Sequence, residues 1–156
     1  MAPLEAVLWD MDGTLMDSEP HWIAAEQELS EEHGGTWDES LAKELIGLPL
    51  SVSAEQLRTR AGIRGTTEEI VQTLLDKVTL RVADQGIPWR PGAAELLREL
   101  RALQIPCALV TMSYAQLAEV FIDAVPEGTF AAVITGDRVD RGKPHPEPYL
   151  RAMDEL

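Results

Sequence analysis

The chain has 156 residues, and its 27 Asp and Glu against 13 Lys and Arg leave a formal net charge of -14. A surface this acidic repels nucleic-acid phosphates and anionic lipids, so the composition argues against a nucleic-acid or membrane partner. No stretch approaches the ~20 apolar residues of a membrane span, and the N-terminus does not read as a signal peptide. We therefore expect a soluble cytoplasmic protein with one main core and a small appendage.

The first predicted element is a strand that ends in acidic residues. Residues 6–9 are apolar, and Asp10, Asp12 and Gly13 follow them directly. This order is typical of a buried strand whose C-terminal end opens into a site, with a glycine that permits a tight bend.

A helical block follows the first strand. Asp17 or Ser18 is placed to cap a helix that ends near Gly34, and each credible segment over residues 36–85 has helical apolar spacing. The sequence therefore predicts a helical insertion over residues 16–87.

Strands and helices alternate again after this block. Apolar residues at helical spacing precede a short apolar strand at 107–110, and a second strand is predicted at 131–134. Such alternation implies an α/β fold with a three-layer, Rossmann-like parallel sheet. We assign residues 1–15 and 88–156 to this core and residues 16–87 to a helical cap above the carboxyl edge of the sheet.

Polar residues follow all three predicted strands. Asp10 and Asp12 follow the first, Thr111 and Ser113 the second, and Lys143 lies in a Pro-rich loop after the third. The carboxyl ends of parallel strands meet at one edge of a sheet, so these side chains should converge. Carboxylates, hydroxyls and a lysine in one place suit a phosphoryl group held with a divalent cation.

The segments DMDGTLMDSE, LVTMS and RGKPHPEPYL occur in this order. Together they resemble the haloacid dehalogenase superfamily, and specifically its helical-cap phosphatase and beta-phosphoglucomutase-like members. The resemblance covers nearly the whole chain. It implies a Mg²⁺-dependent phosphatase that hydrolyses a small phosphorylated metabolite through an aspartyl-phosphate intermediate.

The same resemblance implies a role for each site residue. Asp10 would be the nucleophile and a Mg²⁺ ligand, and Asp12 the general acid and base, with its backbone carbonyl also on the metal. Thr111, the amides around Met112, and Lys143 would bind the transferred phosphoryl group. An ester needs a proton donor for its leaving alcohol whereas a halide does not, so Asp12 favours phosphoester chemistry over dehalogenation.

The resemblance leaves the substrate and the reaction type open. Sugar phosphates, glycolate-type acids and nucleoside monophosphates all fit, and a phosphosugar mutase would share Asp10 and Asp12. The loop around residues 47–51 is a candidate specificity segment. Four basic cap residues could contact an anion, although most should be solvated: Lys43, Arg58, Arg60 and Arg81.

The family pattern also has a fourth motif, an acidic pair after a further strand that completes the Mg²⁺ site. No such pair follows Lys143. We therefore expect a fragment of a longer phosphatase, weak or inactive alone, that associates through the exposed edge of its first strand. A non-catalytic interaction module is the alternative. A receiver domain fits less well, because its acceptor aspartate follows a central strand and it lacks a large helical insertion.

Overall fold

The computed structural model describes residues 4–156. The elements in chain order are β1 (Val7–Trp9), α1 (Glu19–Glu32), α2 (Glu39–Leu45), α3 (Leu50–Arg60), α4 (Thr67–Gln85), α5 (Ala93–Ala102), β2 (Cys107–Val110), α6 (Ala115–Asp123), β3 (Ala132–Ile134), a short 3-10 helix (Gly136–Arg138) and α7 (Glu147–Glu155). Chain contacts divide these elements into two compact units. One unit runs to Asp17 and resumes at Ile87, and the other is Ser18–Gly86.

The α/β unit is built on a parallel sheet with strand order β1-β2-β3. Val7 lies opposite Cys107, and Val110 lies opposite Ile134. Every residue of the central strand β2 is buried. Because alternate side chains of a strand point to opposite faces, both faces of the sheet must be covered. This arrangement confirms the predicted three-layer α/β class.

One covered face of the sheet is the apolar layer beneath α7. Small and branched side chains fill it, which lets the helix approach closely. Its buried members are Ala108, Val110, Ala132, Ile134 and Ala152, with Leu8 and Val139 partly buried against them. The layer holds β2 and β3 in register, and so sets the position of the loops that follow them.

The second unit, Ser18–Gly86, is helical throughout its regular structure. Its longest helix, α4, begins with a capping box. The Thr66 hydroxyl accepts a hydrogen bond from the Glu69 amide at 3.2 Å, and the Glu69 carboxylate accepts one from the Thr66 amide at 2.8 Å. Ser18 lies at the N-cap position of α1 without a side-chain cap bond. Leu50 begins α3, so the loop predicted around 47–51 ends at position 49, two residues earlier than expected.

The four basic residues of this unit that are candidates for anion binding all lie beside carboxylates. The ion pairs are Lys43–Glu39, Arg58–Glu55, Arg60–Glu44 and Arg81–Glu28. Their positive charge is therefore already matched by neighbouring side chains.

No helix within the described residues 4–156 has the length and apolar content needed to cross a bilayer.

Candidate active site

Asp10 and Asp12 lie on a tight turn at the carboxyl end of β1. Three successive amides, those of residues 14–16, donate hydrogen bonds to the Met11 carbonyl. Gly13 has a φ of 78°, in the left-handed region where a side chain would be strained. The Met11 side chain is completely buried, which anchors the turn in the core. The two aspartates are thus held on a short, well-packed bend.

Lys143 reaches Asp10 from the loop after β3. Its ammonium Nζ lies 2.7 Å from Asp10 Oδ1 and also donates to the Val110 carbonyl at 2.7 Å. The Thr14 hydroxyl donates to the other carboxylate oxygen, Asp10 Oδ2, at 3.2 Å. The Asp10 side chain is 38% exposed and that of Lys143 21%, so both can meet a ligand from solvent. Sequence reasoning placed this pair at one sheet edge, and the structure brings the two groups into contact.

Asp12 is bound to the end of β2. Ser113 Oγ donates to Asp12 Oδ2 at 2.7 Å, and Thr111 Oγ1 lies 3.3 Å from the same oxygen. Thr111 is fully buried and Ser113 is 7% exposed. The sequence places Ser113 at the strand end but predicts no role for it. A second hydroxyl two residues after Thr111 was the signal that could have identified it.

Met112 contacts the loop that carries Lys143. The Lys143 amide lies 3.2 Å from the Met112 sulfur, a weak acceptor. A Cβ on Gly136 would lie 2.1 Å from the Met112 carbonyl oxygen, so only glycine permits this approach of the two strand ends. Close backbone packing therefore sets the distance between the loop after β2 and the loop after β3.

Asp137 lies near these strand ends and caps the start of α6. Its carboxylate accepts a hydrogen bond from the Ala115 amide at 3.1 Å, which satisfies a free amide in the first turn of α6.

Among residues 4–156, no group of three or more His, Cys, Asp or Glu side chains is arranged to hold a metal ion. The Asp10 carboxylate and the Asp12 carbonyl still suit Mg²⁺, which takes one or two protein carboxylates and completes its shell with water and substrate phosphate.

Glu147 organises the loop that carries Lys143. Its carboxylate accepts the Asp140 amide at 2.9 Å and the Arg141 amide at 3.1 Å, and it pairs with Arg151 at 2.7 Å. These partners, chiefly the Asp140 amide, hold the pKa of Glu147 below its ordinary value of 4.5. The carboxylate thus ties residues 140 and 141 to the first turn of α7, on either side of Lys143.

Replacing Glu147 with Gln should destabilise the protein above pH 4.5 and reduce its sensitivity to acid. Because the folded-state pKa is lowered, this carboxylate stabilises the fold above pH 4.5, and the contribution is lost as pH falls through the lowered value. Urea unfolding of both proteins from neutral to acidic pH measures the difference. Glu155→Gln, at a longer 3.6 Å pair with Arg138, is the control. Parallel pH profiles for Glu147→Gln and the unmodified protein would contradict the assignment.

Comparison with known proteins places this geometry in a family. The model of the family described as haloacid dehalogenase-like hydrolase matches residues 7–156. A phosphorylated carbohydrates phosphatase of Thermotoga maritima is 30% identical over 98% of this chain and 71% of its own length. A validoxylamine A 7'-phosphate phosphatase of Streptomyces hygroscopicus subsp. limoneus is 31% identical over 97% of this chain and 71% of its own.

A solved structure agrees with the sequence relatives. CbbY from Rhodobacter sphaeroides, crystallised with phosphate, superposes with a TM-score of 0.86 at 27% identity. The match covers 99% of this chain and 73% of that one. The carboxylate, hydroxyl and lysine groups at the strand ends thus lie on a fold that this chain shares with that structure. The chain belongs to the haloacid dehalogenase-like hydrolase family.

Proposed function

We propose that this protein is a phosphatase that hydrolyses a small phosphorylated metabolite through an aspartyl-phosphate on Asp10. The observation that carries the proposal is the 2.7 Å pair between Lys143 Nζ and Asp10 Oδ1. It places a cation at a carboxylate that is open to solvent, where an anionic phosphate could approach. Two relatives, each 30% identical to this chain, are a phosphorylated carbohydrates phosphatase and a phosphoglycolate phosphatase.

In the proposed first step, an Asp10 carboxylate oxygen attacks phosphorus while the bond from phosphorus to the ester oxygen breaks. Asp12 gives its proton to that leaving oxygen, so the alcohol departs neutral. Lys143 offsets the negative charge of the transferring group, and the Thr111 hydroxyl donates to one of its oxygens. In the second step Asp12 takes a proton from water, the water oxygen attacks phosphorus, and the acyl-phosphate bond breaks to release phosphate and Asp10.

Mg²⁺ is the cofactor that we propose for this site. The Asp10 carboxylate and the Asp12 backbone carbonyl would hold it, and both are hard oxygen donors of the kind that it prefers. When bound, the ion supplies positive charge that offsets repulsion between the phosphate and the two aspartates.

A phosphate-release screen with Mg²⁺ tests the function. The panel contains sugar phosphates, 2-phosphoglycolate and nucleoside monophosphates, with Asp10→Asn as the control. We expect the unmodified chain to release phosphate slowly from one of these classes, in line with the weak activity expected of the chain alone, and the variant to release none. Interconversion of sugar phosphates without phosphate release would instead identify a mutase. Turnover of no substrate, or turnover that survives Asp10→Asn, would contradict the proposal.

We further propose that the helical unit Ser18–Gly86 is the cap that excludes water from the reaction, and that its exposed loop at residues 47–49 helps to select the substrate. Leu48 is 40% exposed in that loop, which leaves an apolar side chain available for a ligand. The matched ion pairs of the unit support a selection that depends on shape more than on free positive charge.

The free edge of β1 leads us to propose self-association. Among the described residues, β1 pairs with β2 on one side and with no strand on the other. Such an edge presents unpaired amides and carbonyls that a second copy can pair with. Sedimentation velocity over a range of protein concentrations should show a rising mean mass. A single monomer peak at each concentration would contradict self-association and leave the proposed chemistry intact.

A further inference from the structure

Ser113 is held rigidly against Asp12. Its hydroxyl donates to Asp12 Oδ2 at 2.7 Å, its amide donates to Thr111 Oγ1 at 3.0 Å, and its carbonyl accepts the Gly136 amide at 3.0 Å. The residue is 7% exposed. Three bonds therefore fix the side chain and backbone of Ser113, and the shortest of them ends on the carboxylate.

Thr111 cannot serve Asp12 and a phosphoryl group at the same time. A hydroxyl has a single proton to donate, and the Thr111 hydroxyl already lies 3.3 Å from Asp12 Oδ2. When it donates to the phosphoryl group, as the proposed function requires, its bond to Asp12 is lost. Ser113, whose hydroxyl lies 2.7 Å from the same oxygen, still holds Asp12 when the Thr111 bond is lost.

We propose that Ser113 is a positioning residue that orients Asp12 for proton transfer to the leaving oxygen, an inference that rests on the proposed phosphatase function. With Ser113 donating to Oδ2, the acidic proton of Asp12 belongs on Oδ1. Proton transfer requires the donor within about 3.2 Å of the leaving oxygen, so a carboxyl group that has lost the 2.7 Å hydrogen bond from Ser113 would deliver its proton less often. Ser113 would thus act through its 2.7 Å contact with Asp12.

Two phosphate esters with different leaving groups test the proposal. Ethyl phosphate releases an alkoxide that needs a proton, whereas p-nitrophenyl phosphate releases an anion that is stable without one. Ser113→Ala should lower kcat/KM for ethyl phosphate by roughly 10-fold to 100-fold more than for p-nitrophenyl phosphate, a share of the effect that general acids contribute. Ser113→Thr, which keeps the hydroxyl, should restore the ratio. Ser113→Cys, a weaker donor of similar size, should show the selective loss even if the alanine variant does not fold.

Thr14→Ala is the matched control, since the Thr14 hydroxyl contacts the nucleophile Asp10 at 3.2 Å and not the acid. Its losses should be equal for the two esters. Equal losses in the Ser113 variants that fold, or no restoration by threonine, would overturn the positioning role while the proposed function stands. Absence of turnover by the unmodified chain with both esters and with every member of the metabolite panel would overturn the proposed function and this inference with it.

Discussion

Asp10→Asn is expected to lower phosphate release by a factor on the order of 10⁴ or more, the loss that follows removal of a covalent nucleophile. The amide is a poor nucleophile and cannot form the acyl-phosphate bond. It also removes the negative partner of Lys143, which lies 2.7 Å from Asp10 Oδ1. The change in stability should be small, because the Asp10 side chain is 38% exposed and the pair is partly screened by water.

The measurement is covalent labelling with a phosphate ester, quenched in acid and followed by peptide mass analysis. The unmodified protein should carry the label on the peptide that contains Asp10, and the variant should carry none. Asp17→Asn is the matched control, since Asp17 is an exposed carboxylate 3.8 Å from Arg90. It should keep its activity. Labelling of Asp10→Asn at the normal rate would show that another residue is the nucleophile.

The second large effect concerns Glu26 in the helical unit. Glu26 lies on α1, is 6% exposed, and has a buried carboxylate oxygen, Oε2, without a hydrogen-bond partner. Burial raises the pKa of Glu26 to about 7 from its ordinary value of 4.5, an effect that the nearby Trp37 side chain partly offsets. Glu26 is therefore protonated in the folded protein under conditions where the unfolded chain has lost the proton.

This difference makes stability fall as pH rises. Between pH 4.5 and about 7 the unfolded chain binds fewer protons at Glu26 than the folded protein, so the free energy of unfolding decreases across that window. Glu26→Gln mimics the protonated side chain and removes the dependence. Glu26→Gln should be more stable than the unmodified protein by a margin that is about 3 kcal/mol larger at pH 8 than at pH 4.

Urea unfolding of both proteins at pH 4, 6 and 8 measures this gain, with the ellipticity of the helices as the signal. Glu31→Gln removes the same charge from an exposed position on the same helix and controls for the net charge of -14. A difference between Glu26→Gln and the unmodified protein that is constant from pH 4 to pH 8 would contradict the buried, protonated state of Glu26.

Local sequence pattern was sufficient for the class of fold. Short apolar runs with helical segments between them predicted the three strands and the parallel sheet, because strand and helix periods differ and both faces of such a sheet must be apolar. The acidic motif after β1 and the order of the later motifs predicted the family. Helix starts were less predictable: Asp38 caps α2 with its side chain, whereas Ser18 occupies its cap position without doing so.

The sequence by itself determined which residues reach the carboxyl edge of the sheet, since strand ends and their polar successors are local features. The tertiary structure decided which of these residues touch: Lys143 meets Asp10 across 133 positions, and Ser113 meets Asp12 across 101. It also buried Glu26 and turned Asp137 toward α6 as a cap. Such contacts depend on strand register and side-chain packing between distant segments, which no local period encodes.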